Sequence, residues 1–227
     1  MPIYKTKNEN FFKKWSPEMA YVLGFFTADG SMYKTKRGTY FIEFQITDGD
    51  LLEKIRELLG SNHKITKKRR NRTHKIIYRL QIGSKEIFKD LSRLGLAPNK
   101  SKTLKLPLIP DKYFRHFLRG YFDGDGNVIF SFFKKAGRKN LSRAFLTRFT
   151  SGSKDLLVGI QNKLSALLGV RGSLSFYSGA WRLSYSANDS KKLSNFMYEN
   201  VGRGGLIYLP RKHKIFLKAD RHYAGVA

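Results

Sequence analysis

The chain has 227 residues, with 44 Lys and Arg against 17 Asp and Glu, which gives a formal net charge of +27 and a pI near 10.3. Such an excess repels itself in isolation and calls for a polyanionic partner, so nucleic acid leads and an anionic membrane is the weaker choice, because no amphipathic surface helix stands out. No run of about eighteen apolar residues and no leader-like start is present, the absence of cysteine excludes disulfides and thiolate metal sites, and 41% apolar content excludes a disordered basic tail. These features predict an intracellular protein, in a bacterial or archaeal cytoplasm or an organelle matrix, neither secreted nor membrane-bound.

Residues 1–14 form a basic N-terminal arm. Ser16-Pro17-Glu18 then opens a helix, with Ser16 as N-cap and Pro17 at the first helical position. Its apolar run carries Ala20, Gly24 and Ala28 one turn apart. Glycine inside a helix costs about 1 kcal/mol relative to alanine, so this stripe predicts a second helix crossing at close range, near the low end of about 8–10 Å. The helix stops at Asp29-Gly30, where glycine suits a left-handed closing residue. An aspartate in the last turn faces the negative end of the helix dipole, which costs about 0.3–1 kcal/mol and predicts a compensating cation.

A basic turn at Lys34, Lys36 and Arg37 leads into Thr39–Thr47, which alternates as a half-buried strand. Tyr40, Ile42, Phe44 and Ile46 point inward; Phe41, Glu43 and Gln45 point outward. Asp48 or Asp50 caps a helix at Leu51–Leu59 that ends at Gly60. Strands at about 62–69 and 75–82 follow, joined by a basic loop, with Tyr78, Leu80 and Ile82 inward and Lys75, Arg79 and Gln81 outward. An amphipathic helix spans Ser84–Leu94, and prolines at 98, 107 and 110 mark a linker over 97–110.

The order then repeats. His116-Phe-Leu-Arg-Gly120-Tyr-Phe-Asp-Gly124-Asp125-Gly126 matches the first apolar run, with Gly120 in the place of Gly24 and Asp125 falling 96 residues after Asp29. If the two helices pack side by side, their carboxylates approach each other, and a shared divalent metal best keeps both ionised. Gln45-Ile46-Thr47 corresponds to Arg148-Phe149-Thr150, and Arg79-Leu80 to Arg182-Leu183. The second copy has a longer first hairpin, a longer central helix and a shorter second hairpin. Asn188–Tyr198 is its closing helix.

Val22–Gly30 and Leu118–Gly126 resemble the paired motifs of the LAGLIDADG homing endonucleases in their single-chain form. The resemblance implies an α+β fold of two pseudo-symmetric αββαββα halves, at 15–96 and 111–215, whose antiparallel sheets form a DNA-binding saddle, with a C-terminal tail at 216–227. It also implies a monomeric, site-specific double-strand DNA endonuclease that hydrolyses phosphodiesters at a long asymmetric target, leaves 3′ overhangs, and is encoded within an intron or intein. Strands of about 8 residues at ~3.3 Å each, in two sheets, would cover on the order of 15 base pairs.

By the same resemblance, Asp29 and Asp125 are catalytic metal ligands, with backbone carbonyls of Ala28 and Gly124 as further ligands and two or three divalent ions, Mg²⁺ first. Gln45 matches the family's polar strand residue, with Arg148 its counterpart. Lys212 and Lys100 match the family's active-site lysines, and Lys102 stands close behind Lys100. Gln45, Arg79, Gln81, Arg148 and Arg182 are candidate base readers, because Gln suits adenine and Arg suits guanine, with phosphate contact as their alternative role. Lys67, Arg70, Lys134 and Lys139 lie in basic turns suited to clamping the DNA backbone. Thr27 stands where the family has its first motif aspartate, which Asp123 keeps; that position is usually structural. Two other classes share the scaffold: a maturase binding host intron RNA, and a DNA-binding regulator that does not cut.

Overall fold

The computed structural model describes residues 5–69, 73, 75–99, 102–137, 139–201 and 205–224. The first half runs α1 (Pro17–Asp29), β1 (Gly30–Lys34), β2 (Tyr40–Ile46), α2 (Gly49–Leu58), β3 (Thr66–Lys68), β4 (Ile77–Gly83) and α3 (Lys85–Arg93). The second runs α4 (Asp111–Asp125), β5 (Gly126–Lys134), β6 (Leu141–Ser151), α5 (Lys154–Leu168), β7 (Ser173–Tyr177), β8 (Ala180–Tyr185) and α6 (Ala187–Tyr198), and α7 (Pro210–Ala224) follows. The αββαββα order therefore occurs twice, and each copy builds its own antiparallel sheet, β1-β2-β4-β3 and β5-β6-β8-β7. No helix among the described residues is long and apolar enough to cross a membrane.

The chain gathers into two compact units. One contains Met1–Lys100, Pro107–Gly124 and Gly205–Ile207; the other contains Ser101–Leu106, Asp125–Gly204 and Tyr208–Ala227. The border falls inside the last turn of α4, so most of the second motif helix belongs to the first unit, where it lies against α1.

In the first unit, Ser16 caps α1 by accepting from the Met19 amide at 3.1 Å, with Pro17 at the first turn. Ile42, Phe44, Leu80 and Ile82 of the sheet are fully buried, as are Leu52 and Ile55 of α2 and Ile87 and Leu91 of α3. The paired glycines act as their spacing predicts. A Cβ on Gly24 would lie 2.8 Å from the Phe117 carbonyl carbon and 2.9 Å from the Tyr121 amide, and a Cβ on Gly120 would lie 2.9 Å from the Phe25 amide. The α1 and α4 backbones thus touch without intervening side chains.

Gly30 differs from expectation. Its φ is −87°, so it is extended rather than left-handed. The residue is needed for space, because a Cβ there would collide with the ring of Phe26. Asp48 sits at the N-cap of α2 but makes no capping hydrogen bond through its side chain. β3 is also shorter than the alternation suggests, holding only Thr66–Lys68.

A polar cluster is buried beside the glycine contact. The Tyr21 hydroxyl donates to Asp123 Oδ2 at 2.7 Å, and Arg119, fully buried, donates from Nε to the Ile207 carbonyl at 3.0 Å. The Arg119 guanidinium carbon stands 5.5 Å from the Tyr21 ring centre, and Nη2 lies 3.1 Å from His116 Nδ1. Thr27, in the place matching Asp123, instead donates to the Leu23 carbonyl of its own helix at 2.7 Å. Burial, then the charges of Arg119 and Arg115, push the pKa of His116 down to about 4, against a smaller opposing effect of Glu18. Because the folded pKa is lowered, the unfolded chain binds the extra proton first as pH falls, and stability is lost between about pH 6.5 and 4. The thermal midpoint is expected to fall across that window. His116→Gln should flatten the decline, and an unchanged slope would place its origin elsewhere.

In the second unit, Phe149, Leu183 and Tyr185 pack beneath Leu156, Leu157, Ile160 and Leu164 of α5. Gly169 closes α5 at φ 63°, in the left-handed region that glycine favours. The β5–β6 hairpin is longer than β1–β2, as the repeat comparison predicts. Helix α7 is not anticipated by the sequence. It occupies most of the expected tail, buries Phe216 and Ala219, and stacks His213 on Tyr198 with ring centres 4.3 Å apart.

Candidate functional site

The two motif acids occupy equivalent places in their own copies. Asp29 is the last residue of α1 and Gly30 the first of β1; Asp125 is the last of α4 and Gly126 the first of β5. Each acid therefore stands at the carbonyl-rich end of a helix, where local electrostatics disfavours an anion. Asp29 is half-buried, and its Oδ2 lies 3.1 Å from where a Cβ on Gly124 would sit, while that same Cβ would come within 2.5 Å of the Ala28 methyl. The missing side chain at Gly124 leaves the Asp29 carboxylate its room.

Lys212, near the start of α7, is 6% exposed and donates from Nζ to the Gly126 carbonyl at 2.6 Å. This lysine thus reaches the backbone of the residue that follows Asp125. Lys100, its proposed counterpart, lies outside the described residues, and Lys102 is exposed.

Among the described residues no group of three or more His, Cys, Asp or Glu side chains is assembled for a metal. The donors at the helix ends are carboxylate and backbone carbonyl oxygens. Oxygen donors of this kind suit hard divalent ions such as Mg²⁺ or Ca²⁺ and disfavour thiolate- or imidazole-seeking metals.

Each sheet has one face packed on helices and one left open. In the first sheet the register pairs Glu43 with Gln81 and Gln45 with Arg79, which brings all four to the open face. They are interlinked there. Glu43 accepts from Arg79 Nη2 and from Gln45 Nε2, and Gln81 donates to the Tyr33 hydroxyl. The Glu43 hydrogen bond and charge raise the pKa of Arg79. In the second sheet Arg148 lies opposite Asn127 and Ser184, donating to the Ser184 hydroxyl at 3.2 Å, and Arg182 lies opposite Thr150. The Arg182 guanidinium carbon stands 4.3 Å from the Tyr177 ring centre.

All five candidate base readers thus occupy open sheet faces. Lys67 is an exposed residue of β3, with Nζ 5.6 Å from the Tyr78 ring centre. Lys134 ends β5 and Lys139 follows in the exposed turn, whereas Arg70 lies outside the described residues. Sequence reasoning missed Glu43 and Tyr33 as organisers of the first face. The available signal was Glu43 itself, the one charged side chain among the outward residues of β2 in a chain of net charge +27.

A family model described as LAGLIDADG-like domain matches residues 16–94. An uncharacterized protein of Methanocaldococcus jannaschii is 32% identical over 121 residues, a match covering 50% of this chain and 40% of the relative. The chain spans less than half the length of the curated relatives it matches. Among solved structures, I-SmaMI bound to an uncleaved DNA target in the presence of calcium ions aligns with a TM-score of 0.62 at 15% identity, covering 92% of this chain and 90% of that chain. The homing endonuclease I-WcaI bound to its DNA recognition sequence aligns with a TM-score of 0.58 at 15% identity, covering 92% and 91% of the two chains.

Proposed function

Since residues 16–94 match the LAGLIDADG-like domain model and the chain has the fold of the single-chain LAGLIDADG homing endonucleases, we propose that it is a site-specific, metal-dependent double-strand DNA endonuclease. The observation that carries this reading is the matched position of Asp29 and Asp125, each the final residue of a motif helix and each followed at once by the first strand of a sheet with one open face. The DNA-bound state of the aligned I-SmaMI and I-WcaI structures supports double-stranded DNA as the partner.

Asp29 and Asp125, with the carbonyls of Ala28 and Gly124, would hold two or three divalent ions, Mg²⁺ first. When bound, such ions supply an activated water and offset charge on the transferring phosphate and the departing oxygen. The chain's own residues do the rest. Lys212, fixed by the Gly126 carbonyl, keeps an ammonium charge beside the Asp125 segment, where it offsets phosphate charge. Arg79, Gln45 and Gln81 present donors in a fixed arrangement to base edges, which a two-stranded ribbon in the major groove can reach. The exposed Lys134 and Lys139 hold phosphates. The chain acts as a monomer on a long asymmetric target, leaves 3′ overhangs, and belongs to an intron or intein.

Phosphate contacts on this scale make binding steeply salt-dependent. Affinity for the target is expected to fall about a thousandfold or more between about 50 and 200 mM salt, with log K linear in log salt. A flat response, measured by fluorescence anisotropy in Ca²⁺, would remove DNA as the purpose of the positive charge. Glu43→Gln should free Arg79 and Gln45 and remove one anion from the face. Binding to random duplex is then expected to tighten and its salt slope to steepen by about one phosphate, while base preference under the first sheet relaxes. Unchanged preference would show that Glu43 does not organise that face.

A further inference from the structure

The open faces of the two sheets differ in chemistry. The first carries the Glu43–Arg79–Gln45 cluster and the Gln81–Tyr33 bond. On the second, the register sets Ile129 directly across from Leu146, Ser131 across from Ala144 and Phe133 across from Ser142. Ile129 is 37% exposed and Phe133 41%. Large apolar side chains on the solvent side of a strand are normal when scattered, but a paired patch in a strongly cationic chain marks a contact surface.

Arg148 and Arg182 share that face toward the α4 end, and Lys134 starts the basic turn at the other. A cationic rim around an apolar centre does not suit an apolar protein partner. It does suit the major groove, whose backbone is anionic and whose one apolar feature is the C5 methyl of thymine, a group read by apolar side chains. The small Ser131 and Ala144 beside the aliphatic pair allow a base edge to come close.

We infer that the second sheet reads its half-site by apolar contact with thymine methyls at Ile129 and Leu146, so that the two halves of the target are recognised by different chemistry. Ile129 lies four residues beyond Asp125, which at ~3.3 Å per residue places the contact on the order of four base pairs from the Asp125 end of the strand. The inference rests on the DNA-binding reading above and names the base that this face selects.

Uracil offers a direct test, because it pairs as thymine does and lacks only the methyl. The bound duplex is first selected from a randomised library in Ca²⁺; failure to bind any duplex would count against the DNA-binding reading itself. Arg79→Ala identifies the half contacted by the first sheet, since it shifts preference only there. Thymines are then replaced by deoxyuridine in one half at a time. Affinity is expected to drop about fourfold per methyl in the half under the second sheet, the fold-change of one buried CH₂ group, and to hold in the other half. The Ile129→Ala/Leu146→Ala double variant should bind thymine and uracil targets equally. Equal affinity of wild-type protein for both targets, a selected half-site without thymine, or a full uracil penalty in the double variant would overturn the inference.

Discussion

Asp29→Asn and Asp125→Asn are each expected to lower the rate of double-strand cleavage by at least about a thousandfold, equivalent to ~4 kcal/mol of lost transition-state stabilisation. Asparagine keeps the size of the side chain and one of its oxygens but removes the negative charge that holds a divalent ion. Both acids sit at helix C-termini, where the helix dipole disfavours a negative charge, so neither substitution should unfold the protein. Binding of target DNA in Ca²⁺ is expected to stay the same or to tighten slightly, because an anion facing phosphates has been removed. Cleavage and binding measured on one preparation separate the two effects. Cutting at the wild-type rate by either variant would take the metal site away from these residues.

The second large effect falls on folding. Gly24→Ala or Gly120→Ala would drive a Cβ into the backbone of the facing helix, at the Phe117 carbonyl group in one case and the Tyr21 carbonyl group in the other. A side chain can rotate out of the way, but a helical carbonyl cannot. The helices must separate, which opens the packing around Tyr21, Phe25, Phe117 and Tyr121. Overpacking of this kind is expected to cost about 3 kcal/mol or more, a large share of the 5–15 kcal/mol that is typical of a domain's whole stability. Urea unfolding measures the loss. Gly38→Ala is the control: Gly38 lies in open space at φ +84°, so only the backbone cost of about 1–2 kcal/mol applies. If Gly24→Ala were no more damaging than the control, the two helices would not be held at backbone contact.

Features that depend on periodicity were legible in the sequence. β2 and β4 alternate because one face packs on α2 and α3, and the alternation alone assigns Gln45, Arg79 and Gln81 to the open face. The glycine contact was also legible, because glycine at matching points of two apolar helices costs stability unless a facing backbone needs the space.

Features that depend on register or on a specific neighbour were not. Glu43 reads as one outward residue among several until the β2–β4 pairing sets Arg79 opposite Gln45 and within reach of the acid. Gly30 follows a helix-closing pattern on paper, yet its backbone is extended and the Phe26 ring accounts for it. Helix α7 is strongly basic and few of its residues are buried, Phe216 and Ala219 among them, so its apolar stripe is too sparse to stand out in the sequence. Lys212 matched the family's lysine position by resemblance alone; its bond to Gly126 is what ties it to the Asp125 segment.

If the two motif acids hold divalent ions against DNA, the chain cuts both strands at one long sequence and does so only with metal. The most direct measurement incubates the wild-type protein with a randomised duplex library in Mg²⁺, with Ca²⁺ in a parallel reaction, and sequences every newly formed end. The expected result is a set of ends in Mg²⁺ that share one extended asymmetric sequence and carry 3′ overhangs, with the same sequence bound but uncut in Ca²⁺. Ends scattered without common sequence, or equal cutting when chelator replaces the metal, would contradict it.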